Sequence, residues 1–303
     1  MSTTNSSIIK DFLRPGLNSV VTYNDNRKPI CMQIFKKQNS TQNFEIDAEV
    51  AMFGLGRSKA EGSGITYDTM QETFKTIYLN RAYGIGSIIT HEAIQDNLYK
   101  KMFPTQSEGL RNSMEQLMEV NAASVFNNAF DTNYPIGDAL PLISTAHLLG
   151  NGSTQSNGVS VAVGLNEVAV QDFSTQIKKM RAASGLFDNI APRRFIVPEE
   201  LAYNATRLLQ SQYRPATANN DIAVIPGMNL VPEGCISWRY LTNPTAWFIQ
   251  TDAPVGFQFF DREALNFSTH EDVDTRSIKV TAYQRYSFGV TNPRAIVGTS
   301  GVA

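Results

Sequence analysis

The longest periodic pattern in the sequence is a stripe of mostly apolar residues between Thr105 and Phe130. Its members recur three and four positions apart, the spacing of one helix face; they are Leu110, Met114, Leu117, Met118, Asn121, Val125 and Ala129. Pro104 blocks upstream continuation, and Thr105 and Glu108 are spaced as a capping box, so the helix is predicted to begin at Thr105. About 26 residues at roughly 1.5 Å each form a rod of about 39 Å, long for a globular domain. A shorter helix is predicted over 90–102.

A second long element is predicted near the C-terminus, between Ser277 and Val290. The residues alternate between two sets, as in a strand with one buried face. The predicted buried set is Ile278, Val280, Ala282, Tyr286, Phe288 and Val290, and the other set is Lys279, Thr281, Tyr283, Arg285 and Ser287. About 14 residues at roughly 3.3 Å each reach about 46 Å, beyond the usual strand. A short strand over 256–260 precedes it, joined through the acidic turn 271–274.

Two β-prone stretches, 44–50 and 73–79, flank a glycine-rich segment and predict a long hairpin. The first alternates strictly between apolar and acidic residues, which predicts one covered face and one solvated, negative face. Between them, residues 54–64 carry four glycines and predict a flexible tip. Two strands alone are marginal in water, so a projecting hairpin needs another surface to lie on. An ordinary hairpin within a larger sheet is the alternative.

The remaining segments predict an extended arm and a separate mixed α/β domain. The polar first thirty or so residues, broken by glycine, proline and asparagine, are typical of an arm. Within 135–252, Asn166 is predicted to cap a helix that ends before Gly185, and Pro198 to begin the next helix. Buried strands are predicted at 194–197, 236–241 and 246–249.

Composition excludes several classes of protein. The chain has 303 residues, 42% hydrophobic and only 18% charged, which disfavours disorder and charged coiled coils. Its 26 basic and 28 acidic residues give a net charge of −2, without the excess of Lys and Arg that a general nucleic-acid grip needs. No secretory signal or transmembrane run is visible. Cys31 and Cys235 are too few for a disulfide framework and are expected to be reduced thiols.

No residue set in the sequence points to catalysis. The three histidines, His91, His147 and His270, share no motif with a partner. Ser144 stands near His147, which keeps an intracellular hydrolase open, although no strand–serine–helix turn surrounds the pair. His270 beside the acidic turn could bind a cation, but an acidic hairpin turn is more common, and the spacing is not that of a calcium loop. No enzyme activity, metal or cofactor is expected.

Several stretches together resemble one family. They are RAYGIGSIITHEAIQDNLY at 81–99, PLISTAHLLG at 141–150, FIVP at 195–198, YLTNPTAWF at 240–248, and DT at 274–275 through RYSFG at 285–289 to NPR at 292–294. In this order they resemble the major capsid proteins of tailed double-stranded DNA phages, most closely the Mu-type head subunits. The resemblance runs, with gaps, from about Phe44 to Arg294.

The resemblance implies an α+β, Hong Kong ninety-seven-type capsid fold. Its parts would be an N-terminal arm (1–34), an extended hairpin loop (35–84), a peripheral domain with a long spine helix and long strands (85–134 and 253–303), and an α/β axial domain (135–252). Axial loops over 217–221 would crowd the five- and six-fold axes. The hairpin tip would contact other subunits through Gly54, Gly56, Arg57, Lys59, Gly62 and Gly64.

The function implied is that of a major capsid (head) protein. Such a subunit self-assembles as pentamers and hexamers into an icosahedral shell around double-stranded DNA, without sequence-specific binding and without a membrane. A portal and separate scaffolding or decoration proteins would be its partners, and it would assemble in the host bacterial cytoplasm and reside in the virion. An encapsulin-like compartment enclosing a cargo enzyme is the alternative within the same fold.

Overall fold

A computed structural model of the chain describes residues 29–92, 99–213 and 222–302. Most of the predicted arm (1–28), the middle of the predicted helix over 90–102, and the axial loops at 217–221 lie outside the described residues.

The described residues form a mixed α and β structure. The helices are α1 (Cys31–Ile34), α2 (Tyr99–Asn127), α3 (Glu167–Lys178), α4 (Ala202–Gln210) and α5 (Val224–Gly227), with 3-10 turns at Glu199–Leu201 and Pro293–Ala295. The strands are β1 (Lys36–Asn39), β2 (Phe44–Ala51), β3 (Gln71–Leu79), β4 (Arg81–Ile89), β5 (His147–Leu148), β6 (Thr154–Gln155), β7 (Pro192–Val197), β8 (Cys235–Ser237), β9 (Trp247–Thr251), β10 (Phe257–Glu271), β11 (Ile278–Val290) and β12 (Ile296–Thr299).

Four strands in the order β1-β10-β11-β4 form a long sheet. Strands β10 and β11 pair antiparallel from Phe257 opposite Val290 to Glu271 opposite Ile278, around the acidic turn. Thus β11 confirms the predicted long strand, whereas β10 is much longer than the predicted 256–260. Residues 261–271 carry little apolar alternation, and it is the backbone pairing with β11 that extends the strand.

Helix α2 lies across this sheet and buries most of the predicted stripe. Leu110 and Met114 pack against Val280 and Ala282, and further along Phe126 stacks on Phe257 at 5.1 Å between ring centroids. The predicted start at Thr105 is wrong, because residues 99–104, including Pro104, already belong to the described part of the helix. The proline removes one intrahelical hydrogen bond, a loss that the packing of the rest of the helix outweighs.

A second sheet, in the order β12-β9-β7-β8, organises the predicted α/β region. Asn166 caps α3, its side chain accepting from the Ala169 amide at 2.8 Å. The predicted strand over 236–241 ends at Ser237, because Trp238 turns into the core and donates to the Glu119 carboxylate at 2.8 Å. The C-terminal strand β12 pairs with β9, so residues 296–299 belong to this sheet and not to the long one.

The short helix α1 corrects the last part of the predicted arm. Cys31 and Ile34 are buried in the main core, and Phe35 packs edge-on against Phe257 and Phe288. The Glu119 carboxylate also accepts from the Cys31 backbone amide at 3.2 Å. Residues 31–35 are therefore part of the subunit body, because their apolar side chains bury against α2 and the long sheet.

Candidate functional site

The hairpin of β2 and β3 is the feature with the clearest functional character. It is a separate two-stranded sheet, and every residue from 52 to 72 is exposed. At its tip Asp68 accepts from the Gly54 amide at 2.8 Å. This hydrogen bond and a second one from the Thr69 amide lower the pKa of the Asp68 carboxyl. Because every residue of the tip is exposed, the tip projects into solvent, as the sequence predicts.

The tip glycines are not required by crowding within the subunit. A Cβ on Gly56 or Gly64 would meet nothing within 4 Å, and Gly62 alone of the four tip glycines has a left-handed φ, of 78°. Conformational freedom at this position favours glycine. The six predicted contact residues, Gly54, Gly56, Arg57, Lys59, Gly62 and Gly64, all lie in the exposed segment, and their role in contacts between subunits stays a prediction.

The acidic face of β2 points toward the subunit body, the reverse of the predicted arrangement. Asp47 accepts from Thr291 at 2.9 Å, and Thr291 also contacts the Tyr78 hydroxyl at 2.6 Å. Glu45 accepts from Ser40 at 2.7 Å. Hydrogen bonds to polar residues of the body, found only in the tertiary structure, hold the acidic face against the subunit.

A third acidic residue of β2, Glu49, binds the buried guanidinium of Arg294. The same guanidinium pairs with Asp188, in the loop after α3, and its Nε donates to Asn292 at 3.2 Å. One arginine therefore ties the hairpin to both sheets. Sequence reasoning missed this site because Glu49 and Arg294 are 245 positions apart, although Arg294 lies in one of the stretches that carry the resemblance.

The apolar face of the hairpin is left exposed. Phe44 pairs across the strands with Leu79, and Ile46 with Ile77. Their exposed fractions are 46%, 51%, 55% and 67%, respectively. Contiguous apolar surface of this kind marks an interaction site. Sequence reasoning missed this face as an interface because strict alternation does not say which face of a strand the body covers.

Ser144 and His147 do not form a catalytic pair. The imidazole of His147 is buried, with Nδ1 at 2.6 Å from Asp138 Oδ2 and Nε2 at 3.2 Å from the Leu142 carbonyl oxygen. Both ring nitrogens are thus engaged away from the serine, whose hydroxyl accepts from the Ala146 amide. The Asp138–His147 pair fixes the loop between α2 and α3.

Within 29–92, 99–213 and 222–302, no three His, Cys, Asp or Glu side chains are grouped as a metal site would need. None of the helices described there is long and apolar enough to cross a bilayer.

Comparison with known proteins places this architecture. A family model described as phage capsid protein matches residues 75–298, well over half of the chain. No curated protein matches the sequence. The fold is similar to a virus-like particle from Pyrococcus furiosus, with a TM-score of 0.54 and 9% identity over 95% of this chain and 98% of that one.

Two further solved structures have the same fold. One is from Mycobacterium phage Che8, with a TM-score of 0.54 and 12% identity over 91% of this chain and 92% of that one. The other is the capsid of an empty GTA particle, with a TM-score of 0.55 and 12% identity over 91% of each chain. The family match covers well over half of the chain and the solved structures share its fold, so the chain belongs to the phage capsid protein family, as a structural capsid protein with the Hong Kong ninety-seven-type fold.

Proposed function

We propose that this chain is the major head subunit of a tailed phage. It assembles with copies of itself into pentamers and hexamers of an icosahedral shell that encloses double-stranded DNA. The observation that carries this is the hairpin, whose polar face is bonded to its own subunit while its apolar face and tip are exposed. Such a surface gains its stabilising burial from a neighbouring subunit.

This proposal assigns a role to each part of the subunit. The hairpin, including Gly54, Arg57 and Lys59 at its tip, contacts neighbouring subunits. The long sheet with α2 forms the peripheral domain, and the second sheet, which includes β12, forms the axial domain. The shell wall itself performs no catalysis.

The partners follow from the same reasoning. A net charge of −2 fits a wall that encloses DNA without gripping it, because tight phosphate binding needs concentrated positive charge. A portal and a separate scaffolding protein complete the head, and assembly takes place in the host bacterial cytoplasm. The encapsulin-like alternative has the same fold, so particle content and not fold distinguishes the two.

Electron microscopy of the purified protein tests the proposal. We expect closed icosahedral particles from the wild-type chain, and their loss in the double variant Ile46→Ser, Ile77→Ser, which makes the exposed apolar face polar. Glu72→Gln, an exposed change on the same hairpin, is the matched control and should assemble normally. A wild-type chain that stays monomeric at high concentration would contradict the proposal, and native particles filled with protein and free of DNA would favour the encapsulin-like alternative.

A further inference from the structure

A groove on the second-sheet side of the molecule has an apolar lining and an acidic rim. It lies between α3, α4 and the segment before α3, and has a volume of about 410 Å³. Phe173 and Leu208 line its interior, Val168 is 53% exposed at its mouth, and Glu167 and Asp172 supply the carboxylates. We call this the acidic groove. An apolar lining with polar groups at the edge is typical of a binding site.

A compact loop beyond the other end of α3 has the opposite character. Phe187 is 67% exposed, and the guanidinium of Arg181 lies 4.2 Å from the centre of its ring. Arg181 also donates to the Gly185 carbonyl at 2.8 Å, and Gly185 has a φ of 86° that closes the turn. Lys178 and Lys179, both exposed, precede Arg181 in the chain. We call Lys178, Lys179, Arg181 and Phe187 the basic knob.

The geometry of the knob suits it to insertion into a groove. Its ring is held by a cation–π contact and its backbone by hydrogen bonds, including one from the Arg181 amide to Gln155 Oε1 at 2.7 Å. A side chain already fixed in place loses little conformational entropy on binding. Aromatic residues and arginine are also the residues that most often dominate binding energies at protein interfaces.

Phe187 and the mouth of the groove lie toward opposite ends of α3, whose 12 residues span about 18 Å at roughly 1.5 Å per residue. Asp172, midway along the helix, borders both the groove and a shallow pocket that it shares with Lys179. The knob carries three positive side chains, and the groove carries two negative ones. Two different, complementary patches on one chain are the requirement for a head-to-tail contact, which closes into a ring when the rotation permits.

We propose that the basic knob of one subunit inserts Phe187 into the acidic groove of the next subunit around a capsomer. Lys178 and Lys179 then face Glu167 and Asp172 of the receiving copy, and the ring covers Val168. This inference rests on the proposed function, because it requires subunits that assemble, and it names the contact that joins their axial domains.

Zero-length carbodiimide cross-linking of wild-type particles tests the contact directly. Particles are assembled from a mixture of nitrogen-14 and nitrogen-15 chains, and cross-linked peptides are identified by mass spectrometry. We expect mixed-isotope links between Lys178 or Lys179 and Glu167 or Asp172. The Lys75–Glu72 pair, at 2.7 Å within one chain, is the positive control. Particles that give the control link without the knob–groove link overturn the inference and leave the proposed function intact.

A pair of aromatic variants provides the second test. Phe187→Ala should raise the protein concentration needed for assembly by about tenfold, the loss of one interface anchor, with an unchanged melting temperature. Tyr203→Ala, which removes an aromatic ring that is 88% exposed on α4, should assemble like wild type. Assembly of Phe187→Ala at the wild-type concentration overturns the inference. If the wild-type chain forms no particles, the proposed function fails, and this contact fails with it.

Discussion

Arg294 and Glu49 form an ion pair that joins the segment after β11 to the base of the projecting hairpin. The arginine side chain is almost wholly buried, whereas Glu49 keeps about a fifth of its side chain exposed. Because Asp188 holds the other side of the same guanidinium, the position of the hairpin is coupled to the second sheet. The direction in which the hairpin projects is thus set inside the subunit, before any neighbour is met.

Replacing Arg294 by methionine should destabilise the subunit strongly. The change leaves the carboxylates of Glu49 and Asp188 facing each other without their shared cation, and breaking a buried pair in this way costs about 3 kcal/mol of the free energy of unfolding. Urea titration of the monomer measures the loss. Arg239→Met, a change of the same size at an exposed site, is the control and should stay within about 0.5 kcal/mol of wild type. Equal losses in both variants would contradict a special role for Arg294.

Glu49 should give stability a distinctive dependence on pH. Burial raises the pKa of its carboxyl above the ordinary 4.5, against the opposing effect of Arg294. The folded state therefore binds this proton more tightly than the unfolded chain, and the contribution of Glu49 to stability falls as pH rises through the window just above 4.5. Urea titrations across that window should show wild type losing stability relative to Glu49→Gln. A difference that rises with pH would refute the burial argument.

Glu119→Gln should loosen the junction between α1, α2 and Trp238. One carboxylate oxygen accepts from the Cys31 amide and the other from the Trp238 indole, and an amide side chain has only one acceptor oxygen. One buried donor is left unpaired, at a cost of about 1–3 kcal/mol. Denaturation followed by tryptophan fluorescence measures it. Glu115→Gln, one helical turn earlier and partly exposed, should have a much smaller effect, and the reverse order would contradict the assignment.

Deletion of residues 54–64 should leave a folded subunit that assembles poorly. The deleted segment is exposed throughout, so the monomer loses little buried surface. Circular dichroism should show a wild-type spectrum and melting temperature, while electron microscopy should show few particles. Unfolding of the monomer would show that the tip stabilises its own subunit.

The two thiols should resist alkylation in the folded protein. Burial raises the pKa of Cys235 to about 11, and burial together with the Glu119 carboxylate raises the pKa of Cys31 well above its ordinary range. The reactive thiolate is therefore scarce at neutral pH. Mass spectrometry after iodoacetamide treatment should show little labelling of the native protein and double labelling in denaturant. Rapid native labelling of Cys31 would mean that α1 opens readily.

The local patterns in the sequence suffice to predict several elements. The apolar stripe from Leu110 to Ala129 predicts the spine helix, and the alternation over 277–290 predicts the long strand, because both periods are properties of the backbone itself. Asn166 predicts a helix start because its short polar side chain can accept from a backbone amide of the first turn. The resemblance also leads to the fold, since its stretches lie along most of the chain.

Contacts between distant segments decided the rest. The helix runs through Pro104 because one lost hydrogen bond is small beside the packing of the whole helix, and β10 extends because β11 offers it a partner. Above all, the orientation of the hairpin depends on Arg294 and Thr291, more than 240 residues beyond their partners on β2. Alternation establishes that β2 has two unlike faces, but only the positions of those distant polar groups determine which face is exposed.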